Sequence, residues 1–138
     1  QFELEFLAGQ KITTQAQLLG AIADLRRAGP STVLVTSVLT DQTPASSIQM
    51  ACVSDAGAWI VTTPMLDMVV RGGGDATTAI FLAHTLTDGP RVALSRTAAS
   101  MYAVLEATHR LGAAEMRMVA EQESIAHPDE VFELVELS

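Results

Sequence analysis

Lysine is almost missing from this chain. Lys11 is the only one among 138 residues, and the formal net charge is −8. A nucleic-acid binder needs a basic face to neutralise phosphates, so no nucleic-acid partner is expected. A P-loop is missing too, because no Gly-x-x-x-x-Gly-Lys-Ser/Thr stretch exists. A polyphosphate would have to be held by backbone amides, a metal ion, arginine or groups outside these residues. Cysteine is equally scarce. Cys52 stands alone, which excludes an internal disulfide and fits a reducing, cytoplasmic setting. No apolar run reaches the roughly 18 residues that span a bilayer, and no secretory pattern is present, so no membrane partner is expected.

What the chain has in quantity is apolar side chain. Hydrophobic residues make up 49% and mean hydropathy is +0.30, which excludes disorder and supports one domain over residues 1–138 with a real core. The chain opens on Gln1 and reads as structured at once through Phe2-Glu3-Leu4-Glu5-Phe6-Leu7. Natural starts are looser, so further chain is expected upstream.

Punctuation along the chain divides it into elements. Residues 2–8 read as a short helix ended by Gly9. Thr13 or Thr14 can cap a helix to about Ala28, with Leu18, Leu19, Ile22 and Leu25 at helical spacing and Gly29-Pro30 as the stop. Thr32–Thr36 is β-branched and apolar, a buried strand, and residues 37–47 are loop-like. Ile48–Val53 and Ala58–Thr62 read as strands joined at Asp55-Ala56-Gly57, with Pro64 ending the second. Residues 65–71 form a connector. The segment from Asp75 to about Leu86 is apolar on nearly all sides and predicts a central buried helix. Pro90 starts a long helix to about Leu111, closed by Gly112. Residues 113–126 read as partly helical, His127-Pro128 breaks them, and Val131–Leu137 reads as a last strand. Helix, turn and buried strand in this rhythm predict an α/β fold.

The most informative run is Arg71-Gly72-Gly73-Gly74-Asp75, placed directly before an apolar helix. Glycines let backbone N–H groups converge on an anion, and the helix N-terminus adds its positive end. A carboxylate at Asp75 could take a proton from an attacking hydroxyl, an arrangement suited to phosphoryl transfer. The other reading is a glycine-rich turn whose aspartate caps a helix. Thr36 and Ser37, at the carboxyl end of a buried strand, read either as a polar strand end or as hydroxyls facing the same crevice.

Elsewhere the plain readings stand. Arg71, an isolated arginine beside a loop, reads as facing solvent, the other reading being a reach to a phosphate. His84, His109 and His127 lack metal-ligand spacing. Cys52 is inert core, and Met65, Met68, Met101, Met116 and Met118 fill gaps. The acidic residues from 121 to 136 form a solvated face.

Several runs, in order, resemble the pyridoxal kinases of the ribokinase-like superfamily. They are Gln1–Gly9, which in that family follows a Pro-Asn; Gly29–Ser37; Gly72-Gly73-Gly74-Asp75-Ala76-Thr77-Thr78-Ala79 with Phe81–His84; Ala98–Thr108; and Val119–Ile125 with Pro128. The resemblance covers essentially the whole chain but only the C-terminal half of the family enzyme. It implies an α/β fold, half of a three-layer α/β/α sandwich with a largely parallel sheet. Residues 48–62 would be the antiparallel hairpin near the nucleotide.

By the same resemblance, Asp75 is the base that deprotonates the 5′-hydroxymethyl group of pyridoxal, pyridoxine or pyridoxamine. The amides of Gly72, Gly73, Gly74 and Asp75 form the anion hole for the transferred phosphoryl group. Thr36 and Ser37 contact ATP, and Glu3 matches an acidic residue near the nucleotide phosphates and metal. ATP, Mg²⁺ and a monovalent cation are the implied cofactors, with no metal ligand assigned. Two features depart from the family. Gly73 stands where Thr, Ala, Ser or Val is usual, and the connector 65–71 is short.

The resemblance places most vitamin-binding residues in the other half, so these residues alone are expected to be inactive. An open sheet edge is expected to produce a homodimer or another edge-to-edge association. The alternatives are a related kinase acting on a hydroxymethylpyrimidine or a sugar, and a non-catalytic nucleotide-binding module.

Overall fold

Thr14 opens the longer of the two N-terminal helices with a reciprocal capping box. Its hydroxyl accepts from the Gln17 N–H at 3.2 Å, and the Thr14 N–H donates to the Gln17 side chain at 3.1 Å. The computed structural model describes all of residues 1–138. Its elements are α1 (Phe2–Ala8), α2 (Gln15–Arg27), β1 (Val33–Val38), β2 (Ser47–Ser54), β3 (Gly57–Pro64), α3 (Gly73–Asp88), α4 (Pro90–Arg110), α5 (Gln122–Ala126) and β4 (Leu134–Glu136). Gly9 ends α1 in the left-handed conformation, Pro90 occupies the first turn of α4, and Gly112 follows that helix at φ 58°.

The sheet separates two cores. On one face Val33, Val35, Ala51 and Ile60 pack against Leu4 of α1 and Leu18, Ala21 and Ile22 of α2. On the other, Cys52, Trp59 and Val61 meet Leu94 and Ala98 of α4. The alternation of strand side chains between faces therefore builds three layers, helices on either side of one sheet. Leu18 and Ile22 are completely buried, each contributing about 1.5–3 kcal/mol of transfer free energy. The α3 helix packs on α4. No helix is long and apolar enough to cross a membrane.

The expectation of a largely parallel sheet is corrected here. The strand order is β1-β2-β3-β4 and every pairing is antiparallel. Between β1 and β2 there is only a loop, and between β2 and β3 only the two residues Asp55 and Ala56. Parallel neighbours need a crossover of a dozen or more residues, and neither connection has that length. The only long connection, through α3, α4 and α5, returns β4 antiparallel beside β3.

A second correction concerns α3. It is not buried on all sides, since only Thr77 and Ile80 are buried while Leu82 and Leu86 are exposed. Composition reads as burial only if partners exist on every side, and here α4 covers one. The hairpin at 48–62 stands as expected, with Ser54 opposite Gly57. The first strand runs two residues further than Thr36. Its register shifts between Val35 and Val38, and Ser37 adopts φ 54°. Thr36 and Ser37 thus lie in a bulge rather than past a strand end.

Candidate functional site

Gly72 is the N-cap of α3 at φ 78°, in the left-handed region that favours glycine, and no side chain caps the helix. The first backbone bond to close is from Ala76 N–H to the Gly72 carbonyl, at 3.1 Å. The amides of Gly73, Gly74 and Asp75 are left without partners in the chain, at the positive end of a helix of 16 residues. Thr77 and Thr78 bond instead to the carbonyls of Gly73 and Gly74, at 2.7 and 2.8 Å. The carboxylate of Asp75 is exposed, caps nothing and has no ion-pair or hydrogen-bond partner. Reading it as a helix cap therefore fails.

The glycine loop opens on a cavity of about 360 Å³. Gly72, Gly73, Gly74 and Thr77 form one part of its wall, and Thr36 and Ser37 of the β1 bulge form another. Five of the seven residues singled out from the sequence therefore share one cavity. Asp75 is one residue beyond the lining glycines, in the first turn of α3. Glu3 is exposed on α1 and does not line the cavity. Its helix is nevertheless fastened beside the site, because the Gln1 side chain accepts from the Leu39 N–H at 2.8 Å and the Gln1 ammonium donates to the Thr36 carbonyl at 2.6 Å.

The apolar part of the wall was missed by sequence reasoning. Met50, Met65, Met68 and Met101 line it with Tyr102 and Leu105. Sequence reading makes three of these four, Met65, Met68 and Met101, gap fillers and gives Met50 no role at any site. The usable signal was position: Met65 and Met68 lie in the connector between the hairpin and the glycine loop. Tyr102 has its phenol pushed above the ordinary value by loss of hydration, with Glu130 and Glu106 adding to the effect.

The remaining polar groups have local roles. Arg71 is exposed, as expected. His84 lies 3.8 Å from Asp88 and His127 4.0 Å from Glu123, one helical turn away in each case. No group of three or more His, Cys, Asp or Glu side chains is placed to hold a metal ion by itself. Cys52 is completely buried, and burial pushes its thiol up to about 11.

No family model matches the chain. Among curated proteins, it is 40% identical to pyridoxal kinase PdxY of Corynebacterium diphtheriae over 139 residues, which is 100% of this chain and 49% of that protein. It is 48% identical to PdxY of Rubrobacter xylanophilus over 130 residues, 93% of this chain and 45% of that one. Pyridoxal kinase from Leishmania donovani, solved with ADP and pyridoxine, superposes with a TM-score of 0.85 at 20% identity. That match covers 99% of this chain and 48% of the other, a likeness of fold. The chain spans about half the length of the curated relatives it matches. The resemblance carried by the glycine loop is thereby borne out along the whole sequence: the chain is similar, over its full length, to about half of each of these pyridoxal kinases.

Proposed function

We propose that this chain supplies the nucleotide and phosphoryl-transfer side of a pyridoxal kinase, which moves the γ-phosphoryl group of ATP to the 5′-hydroxymethyl group of pyridoxal in vitamin B6 salvage. One observation carries the reading. The uncapped, glycine-rich N-terminus of α3 opens on the same cavity as the Thr36–Ser37 bulge, with an unpaired carboxylate at Asp75. The likeness to PdxY proteins supports it.

In this mechanism the free amides at Gly72–Asp75 meet the charge that builds on the transferred group. They are fixed before the reaction, so no reorganisation is needed when the charge develops. Asp75 accepts the proton of the substrate hydroxyl, and being unpaired it has no hydrogen bond to break first. Thr36 and Ser37 offer hydroxyl and backbone groups to the nucleotide across the cavity. Gly73 presents no side chain there, so the amide is freely approached.

Mg²⁺ typically binds through one or two carboxylates together with substrate phosphates, and it neutralises phosphate charge. That mode needs no closed cage of protein ligands, and none is present. Glu3, an exposed carboxylate on α1, is the residue that would hold the ion together with the nucleotide phosphates, which leaves Asp75 free as the base.

The outer edge of β1 has no strand beside it. Unpaired edges template pairing with other chains. We propose that the chain associates through this edge, as a homodimer or with the remainder of a longer protein. A single monomeric species in sedimentation velocity across concentrations would count against this.

The decisive test replaces Asp75 by Asn in the protein expressed from its complete reading frame. Loss of the base is expected to lower kcat by about 100- to 10,000-fold with little change in ATP affinity. Near-normal turnover would remove Asp75 from the mechanism. Assaying the unsubstituted protein on pyridoxal, pyridoxamine, a hydroxymethylpyrimidine and ribose fixes the substrate class.

A further inference from the structure

We infer that Gln1 is a positioning residue for the nucleotide side of the site, a role that rests on the functional reading above. Ser37 sits in the bulge of β1 at φ 54°, a conformation a non-glycine residue holds only when its surroundings impose it. Gln1 supplies contacts on both sides of that residue. Its amino-terminal ammonium donates to the Thr36 carbonyl at 2.6 Å, and the contact that a substitution can remove is made by its side-chain Oε1, which accepts from the Leu39 N–H at 2.8 Å.

The same side chain is anchored at its other end. Gln1 Nε2 donates to the Ile12 carbonyl at 2.8 Å and to Glu5 Oε1 at 3.0 Å. Glu5 in turn accepts from the Ile12 N–H at 3.1 Å and from Lys11 Nζ at 2.7 Å. One amide thus joins α1, the turn after it and the end of β1. Between the two bracketed residues, Val38 is fully buried in the core against α2, which fixes the bulge from beneath. Ser37 itself is exposed and lines the cavity facing the glycine loop. Gln1 lines nothing there, so it acts through Thr36 and Ser37.

The test compares Gln1→Met, which keeps length and removes both amide functions, with Gln1→Glu, which keeps the acceptor for Leu39. Glu5→Gln serves as the control that loosens the α1 network without touching the Leu39 bond. In hydrogen exchange, Gln1→Met is expected to speed the Leu39 amide by about 10-fold, the worth of one hydrogen bond. Gln1→Glu is expected to retain most of the protection.

In the complete protein, KM for ATP is expected to rise by about 5- to 10-fold in Gln1→Met. KM for pyridoxal and kcat are expected to stay near their original values. Unchanged Leu39 exchange overturns the clamp. An equal rise in both KM values, or the same ATP effect in Glu5→Gln at matched stability, overturns the positioning role. If the unsubstituted protein phosphorylates nothing, the functional reading falls together with the positioning role. The Leu39 exchange still shows separately whether the clamp exists.

Discussion

Thr77 donates its hydroxyl to the Gly73 carbonyl at 2.7 Å, and both residues line the same cavity. The bond ties the first turn of α3 from the carbonyl side and leaves its N–H groups free. Thr77 is buried, whereas Thr78 makes the equivalent bond to Gly74 from an exposed position. Thr77→Val keeps the shape and loses the bond. It is expected to cost about 1 kcal/mol, and Thr78→Val less than about 0.5 kcal/mol, both read from denaturant midpoints.

A second prediction concerns the turn of the β2–β3 hairpin. A methyl group at Gly57 would stand 2.7 Å from Trp59 Cζ2, and the backbone there has φ +144°. Gly57→Ala therefore meets both strain and overlap, and is expected to lose about 1–3 kcal/mol. Trp59 is the only tryptophan, so its fluorescence reports the disturbance directly. An unchanged midpoint and an unchanged spectrum would show that the indole moves freely aside.

Acid sensitivity is expected to pass through Glu5. Its carboxyl is drawn down to about 2 from 4.5, first by the Gln1 side chain, then by Lys11 and the Ile12 N–H. As pH falls, the unfolded chain therefore takes up this proton before the folded one does. The stabilisation is complete above pH 4.5 and is lost as pH falls toward 2. Glu5→Gln should flatten that part of a stability profile measured by urea unfolding at successive pH values. A profile identical to that of the unsubstituted protein would place the acid sensitivity elsewhere.

Cys52 should be silent toward thiol reagents while the chain is folded. Its thiol is pushed up to about 11 from 9, and it is completely buried. The thiolate fraction at pH 8 is then lower by about 100-fold from the shift alone. Alkylation by iodoacetamide should be slower by at least that factor than in urea, as followed by intact mass.

Local chemistry was legible in the sequence wherever one residue decides the outcome. The Thr14 cap, the Gly9 stop, the Gly57 hairpin and the Pro90 start each have a mechanism confined to a few residues, and each is present. Strand direction was legible only inside that hairpin. The apolar run at 32–36 states that a strand is buried and says nothing about which neighbour it pairs with. The exposure of α3 was hidden for a similar reason, since Leu82 and Leu86 signal a need for cover without naming its source. At the site, Gly72, Gly73 and Gly74 were found because glycine has so few reasons to cluster. The methionine wall escaped because Met65 and Met68 look alike in a core and in a cavity.

The pairing of Trp59 with Glu136 also sets an order of events. The β2–β3 hairpin needs only a two-residue closure, and hairpins form in about 1–10 μs. The β4 strand pairs across the whole length of α3, α4 and α5, so its closure costs more chain entropy and is expected to come later than the hairpin. Until then the β3 edge, with Trp59, Ile60 and Val61 in a row, is bare and able to recruit the same edge of another molecule. Refolding yield should therefore fall with protein concentration, and a peptide carrying residues 131–138, supplied in excess, should restore it.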